Sequence, residues 1–128
     1  MAEKVCRWLA GALAAYYAST GVFMLFFGSA FFALPMVAQS GPFNPHFVRD
    51  VGAAFLTAAF GFAMRSWHSR YQPAAAVGAL FVALHAVIHI VELATGMDAF
   101  ATRTLATVVA PAALAVFVAI PYGGPSHA

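Results

Sequence analysis

The sequence predicts an all-α membrane protein, a four-helix bundle, and three observations carry that prediction. Hydrophobic residues make up 63% of the 128-residue chain and charged residues only 8%, against roughly 25% charge in an ordinary soluble domain. Too little polar surface remains to cover a globule in water, so lipid is the expected solvent. The apolar residues also fall into four runs, separated by short stretches rich in Pro, Gly, Asn and charge. Finally, the few charged residues lie near the ends of those runs, where a bilayer tolerates them.

The same composition excludes several functions. A net charge of +2, scattered along the chain, does not point to nucleic acid. The single cysteine, Cys6, allows neither an intrachain disulfide nor a CxxC motif and reads as an interfacial thiol. No Ser–His–Asp or Cys–His grouping can be drawn, so classical nucleophilic catalysis has no support; the sequence leans away from an enzyme without deciding it.

The first helix is expected at about residues 8–34. Lys4 and Arg7 followed by the run from Leu9 to Leu34 have the outline of a signal peptide. That run exceeds the usual apolar region of about 7–15 residues. Tyr16 also stands where cleavage after Ala18 would want a small residue. A retained helix ending at Pro35 is therefore predicted. Gly21 and Gly28 give it one face suited to close helix approach.

The second helix is expected at about residues 46–65, after the loop chemistry of Pro42, Asn44 and Pro45. Only residues 51–64 lie uncharged between Asp50 and Arg65, and a span needs about 20 residues. Arg49 and Asp50 are therefore placed inside the membrane boundary or at it. Ala53, Thr57 and Gly61 form a small-residue stripe, with Asp50 near the same face.

The third helix, at about residues 73–95, follows a short basic and aromatic turn. It opens on Pro73 as an N1 proline and closes on Gly96 as a C′ glycine. The fourth, at about residues 99–120, has Asp98 as its expected N-cap. Pro111 lies inside it and should kink it unless neighbours satisfy the freed carbonyl. The last residues, 121–128, are expected to be a short disordered tail.

Short connections imply an up-down-up-down bundle in a single domain. Lys4, Arg7, Arg65 and Arg70 fall on one side of it, which puts both termini in the cytoplasm of a bacterial inner membrane. Trp8, Trp67, Tyr71 and Tyr122 fall on that same side, as an aromatic belt does. A homo-oligomer or a larger membrane complex is compatible with this frame, besides the bilayer itself.

The polar residues that a lipid-facing helix would not carry are His85, His89 and Glu92. Their i, i+4, i+7 spacing puts them within roughly 60° on one helix face. With the expected topology, Arg49, Asp50, Glu92 and Arg103 all come to lie about 5–8 Å below the outer boundary. His46 sits at the rim. His89 is deeper and His85 deepest. Glu92 is expected to pair with Arg49 or Arg103, because arginine keeps its proton and needs an acceptor.

Three chemistries can be tested against these residue types. His85, His89 and Glu92 could supply three metal ligands, with Asp50 or His46 as a fourth. Against that, Ala86 stands where HExxH needs glutamate, and the arginines oppose a cation. A b-type haem would need a second His at matching depth, and the first and fourth helices contain none. A quinone, lipid or other small amphiphile fits a mid-depth His below an Arg, with Phe55, Phe60, Phe62 and Phe81 as walls. The alternative is an ion-paired plug that only fixes helix packing, in a structural or assembly subunit.

The stretches from Gly21 to Gly28, from Phe47 to Ala53, and the alanine-rich third helix closed by Gly96 resemble small four-helix bacterial membrane proteins of the DoxX-like group. The likeness covers about residues 15–97. It implies a link to membrane quinone and sulfur redox chemistry. Only Arg49, Asp50 and Gly52 carry over as matched positions. His85 and His89 lie outside the group's pattern.

Overall fold

A computed structural model describes residues 2–121. The expected tail beyond Pro121, with Tyr122 of the expected belt, lies outside the described residues. Within them the chain is helical and contains no strand. Four helical stretches are long and apolar enough to cross a membrane: Glu3–Phe26, Pro45–Trp67, Ser69–Ala94 and Ala101–Ala119.

Helix α1 runs Ala2–Phe26, starting earlier than expected. In its polar first turn Glu3 is held by Arg65 across the bundle. At Phe27 the backbone leaves helical geometry (φ −128°, ψ 36°), just before Gly28. Helix α2, Gly28–Phe32, resumes from there. The single helix expected to Leu34 is thus broken once. Leu34 is extended ahead of Pro35, as a residue before proline must be. A short helix α3, Pro35–Ala38, follows.

Helix α4, Pro45–Trp67, is capped by Asn44, which the sequence offered only as loop chemistry. The Asn44 side chain accepts from the His46 and Phe47 amides, both at 3.1 Å, with Pro45 in the first turn. A 3-10 turn, Ser69–Tyr71, leads to helix α5, Gln72–Ala94. Gly96 ends α5 with a positive φ of 73°. The Met97 amide donates to the Glu92 carbonyl (2.9 Å) and the Gly96 amide to that of Leu93 (3.2 Å). This is a Schellman ending, and it favours glycine because L side chains strain at that φ.

The fourth stretch is not one regular helix. Helix α6, Ala101–Thr104, passes into a π turn, Leu105–Val109, and then into helix α7, Ala110–Ala119. Pro111 has no N–H for the Thr107 carbonyl, and the helix widens ahead of it. Asp98 is not the cap expected of it: Phe100 holds the cap position before α6, two residues further on.

α1 packs on α4, α4 on α5, α5 on α7, and α7 returns to α1. The core between them is largely alanine with a few large side chains, Leu13, Tyr17, Met24, Phe55 and Phe62 among them. Small residues let the backbones approach. A Cβ on Gly21 would stand 2.7 Å from the Gly52 carbonyl oxygen, and one on Gly61 2.5 Å from that of Ala74. The expected stripe of Ala53, Thr57 and Gly61 is divided, since Ala53 and Thr57 are exposed and Gly61 buried. The face that packs is one residue round, through Gly52, Phe55, Ala59 and Phe62. Cys6 is buried rather than interfacial.

Candidate functional site

α5 positions the candidate site, and its helical repeat brings His85, His89 and Glu92 together on one face as expected. The His85 ring is half-buried. It meets the Phe55 ring edge-on at 5.3 Å and stacks on Phe81 at 6.2 Å. The His89 ring lies 4.8 Å from His85 at 76°. His89 Nδ1 is 3.0 Å from Glu92 Oε2. A neutral His89 that donates from Nδ1 to this carboxylate keeps Nε2 as an acceptor. The row continues inward, because Phe55 also stacks on buried Tyr17 at 5.7 Å. It therefore runs from the core to the last turns of α5, apolar at one end and ionic at the other.

The arginines are placed otherwise than the sequence suggested. Among the described residues no arginine lies within ion-pair distance of Glu92, whose partner is His89. Arg49 and Asp50 are exposed. Asp50 faces His46 Nδ1 at 3.6 Å, an exposed pair one turn apart on α4. The Arg103 guanidinium lies 5.9 Å over the Phe100 ring. The four charges share an end of the bundle but not a contact. Which end of the bundle each charge occupies was legible, whereas rotation about the helix axes was not. Among the described residues, no group of three His, Cys, Asp or Glu side chains is placed to hold a metal ion. His46 and Asp50 do not join the histidines of α5.

Sequence reasoning missed the polar knot beside the site. Asp98 accepts from Thr104 Oγ1 (2.5 Å), Gln39 Nε2 (2.9 Å) and the Phe100 amide (2.7 Å). Gln39 Oε1 accepts in turn from the Ala99 amide (3.2 Å). The Thr104 hydroxyl, then Gln39 and the Phe100 amide, hold the Asp98 carboxyl below the usual carboxylate range. The knot ties the connection after α3 to the one after α5. Its signal in the sequence was slight, one Gln in the connection after α3 and one acid in the connection after α5.

Also missed was the pairing at the far end. Arg65 is 1% exposed. It meets Glu3 in a two-pronged bond, Nη1 to Oε1 at 2.6 Å and Nη2 to Oε2 at 2.8 Å. Glu3 is the only acid before Asp50, which was the available hint.

No protein-family model matches the chain, and neither does a curated protein or a solved structure. The reading of function rests on this geometry.

Proposed function

We propose that the chain is a bacterial inner-membrane protein that receives the polar head of a small amphiphile, a quinone above all, at His85, His89 and Glu92. Its helices would run up-down-up-down with both termini cytoplasmic. Support for the membrane setting comes from the outer face of α5. Val77, Leu80, Leu84, Ile88 and Val91 are all more than half exposed there, a stripe that suits lipid and not water. Support for the topology comes from paired positions: Glu3 meets Arg65 and Gly21 approaches Gly52, as in helices of opposite direction. The basic end, with Lys4, Arg7, Arg65 and Arg70, is the cytoplasmic one by charge.

One observation carries the ligand reading. His85 is seated between Phe55 and Phe81, in ring contact with a His89 whose partner is Glu92. Aromatic walls suit a flat apolar ring, and imidazole nitrogens can donate to a quinone oxygen or accept from a quinol hydroxyl. Glu92 holds the His89 tautomer that accepts. The likeness to the DoxX-like group, carried by Phe47 to Ala53, agrees with this chemistry. The experiment is a native mass spectrum of the purified full chain with a short-tailed quinone. Retention that disappears in His85→Phe supports the reading, and a wild-type spectrum without any adduct sinks it.

A second reading has one observation in its favour. His89 and Glu92 satisfy each other on a single helix, which a purely structural subunit would also do. In that case His85→Phe would leave every bound species unchanged.

A further inference from the structure

The end of the bundle opposite the histidines carries charge that the quinone reading does not use. Lys4, Arg7, Arg65 and Arg70 gather there near one acid, Glu3. Both Glu3 oxygens are taken by Arg65, at 2.6 and 2.8 Å. Glu3 is thereby committed first to Arg65, and its pull on Arg7 is the weaker one. Arg7 donates from Nε to the Ser66 carbonyl (2.9 Å) and from Nη2 to the Trp67 carbonyl (2.5 Å). These bonds fix its guanidinium against the last turn of α4 and use only part of its N–H donors. They also cover carbonyls at the negative end of that helix, which would otherwise repel an anion. Lys4 has no ion-pair partner among the described residues.

Lys4 and Arg7 line one open cleft of about 740 Å³, together with Glu3, Trp8, Gly11 and Ser66. We propose that this cleft binds the phosphodiester headgroup of an anionic phospholipid, with Lys4 and Arg7 as its cationic contacts. An immobilised guanidinium and a mobile ammonium are complementary to a phosphodiester oxyanion. Trp8, 73% exposed, is the side chain that settles at headgroup level, and exposed Val5 offers apolar surface to acyl chain. A free phosphate would use the cations and neither of these. Gly11 keeps the floor clear. A Cβ there meets only the Ser66 side chain, at 3.6 Å, so a longer side chain fits the helix and occupies the cleft. Basic clefts between membrane helices on the cytoplasmic side hold anionic headgroups for the same electrostatic reason. The site is independent of His85, so loss of quinone retention leaves it standing.

The test uses the full chain in mild detergent with dioleoyl phosphatidylglycerol, dioleoyl phosphatidylcholine or inorganic phosphate. Lipid retention in the native mass spectrum and the shift in melting temperature are read together. The phosphatidylglycerol adduct and shift should exceed those of phosphatidylcholine, and inorganic phosphate should give no shift. Lys4→Gln removes one exposed charge and should weaken phosphatidylglycerol binding about fivefold. Gly11→Leu should abolish it, and quinone retention should be intact in both variants. Equal retention of the two lipids overturns the proposal. So does unchanged phosphatidylglycerol binding in Lys4→Gln. A shift with inorganic phosphate as large as that with the anionic lipid overturns the lipid as occupant.

Discussion

The Tyr16 hydroxyl donates to the Thr107 carbonyl at 2.5 Å, the carbonyl that Pro111 leaves without its helical donor. In the fourth stretch, residue 111 should supply the N–H for residue 107, and proline has none. The π turn over Leu105–Val109 and the hydroxyl from α1 are two halves of one repair. A backbone acceptor without a partner in lipid is costly, which is why an internal proline in such a helix needs a neighbour.

Tyr16→Phe should therefore destabilise the protein by about 1 kcal/mol, the scale of one interhelical hydrogen bond in a membrane protein. Pro111→Ala returns the missing N–H. In that background Tyr16→Phe should come close to neutral. Unfolding free energies of the four proteins in one detergent give the coupling, and additivity would show that the two residues act separately.

Breaking the Glu3–Arg65 pair should cost more. Arg65 is buried and keeps its charge, so Glu3→Gln leaves a cation without a full acceptor. The expected loss is roughly 3 kcal/mol, the low end for a buried pair because Glu3 itself is partly exposed. Arg65→Met combined with Glu3→Gln should recover most of that loss. Thermal unfolding of the single and double variants checks this, and an unchanged melting temperature in Glu3→Gln would show the pair to be dispensable.

Two glycines separate packing from propensity. Gly61→Ala puts a Cβ 2.5 Å from the Ala74 carbonyl oxygen, forcing α4 and α5 apart, and should cost about 1–3 kcal/mol. Gly11→Ala meets only Ser66 at ordinary contact distance and should be neutral or stabilising by up to about 1 kcal/mol, since alanine is the better helix former. The melting temperature should fall in Gly61→Ala and should hold or rise in Gly11→Ala.

The Asp98 knot should respond to acid. Three hydrogen bonds hold the folded carboxyl below its ordinary range. Its contribution is therefore complete above the unfolded value of about 3.9 and is lost as pH falls through the lower folded value. The Asp98 carboxyl carbon, followed by NMR, should titrate below about 3.9. Protection of the Phe100 amide from exchange should weaken over the same interval. Asp98→Asn should abolish this pH dependence, and an ordinary midpoint would show that the three donors do not stabilise the charge.

Glu92 couples to His89 and not to an arginine. Glu92→Gln should thus cost only about 0.5 kcal/mol, as partly exposed pairs within one helix do. A double-mutant cycle with His89→Gln should show the coupling, and cycles with Arg49→Gln or Arg103→Gln should show none.

What the sequence determined by itself was the helical class, the four stretches long and apolar enough to cross a membrane, and most of the punctuation. Those features are local. Runs of apolar residues, the loop chemistry around Pro42 and Asn44, Pro73 and the Gly96 ending each act within a few residues of their own position. The grouping of His85, His89 and Glu92 was legible for the same reason, because one helix repeat fixes it. Only the tertiary structure decided that Arg49, Asp50 and Arg103 stay apart from that group, that Arg65 is buried on Glu3, and that Tyr16 serves Thr107. Each depends on how a helix is turned about its axis and slid along its neighbour. Close approach at Gly21 and Gly52, and at Gly61 and Ala74, sets both for α1, α4 and α5. A one-residue change of facing turns a side chain by about 100°, enough to move a charge from the interior to the surface. Hydropathy reports depth and leaves that angle open.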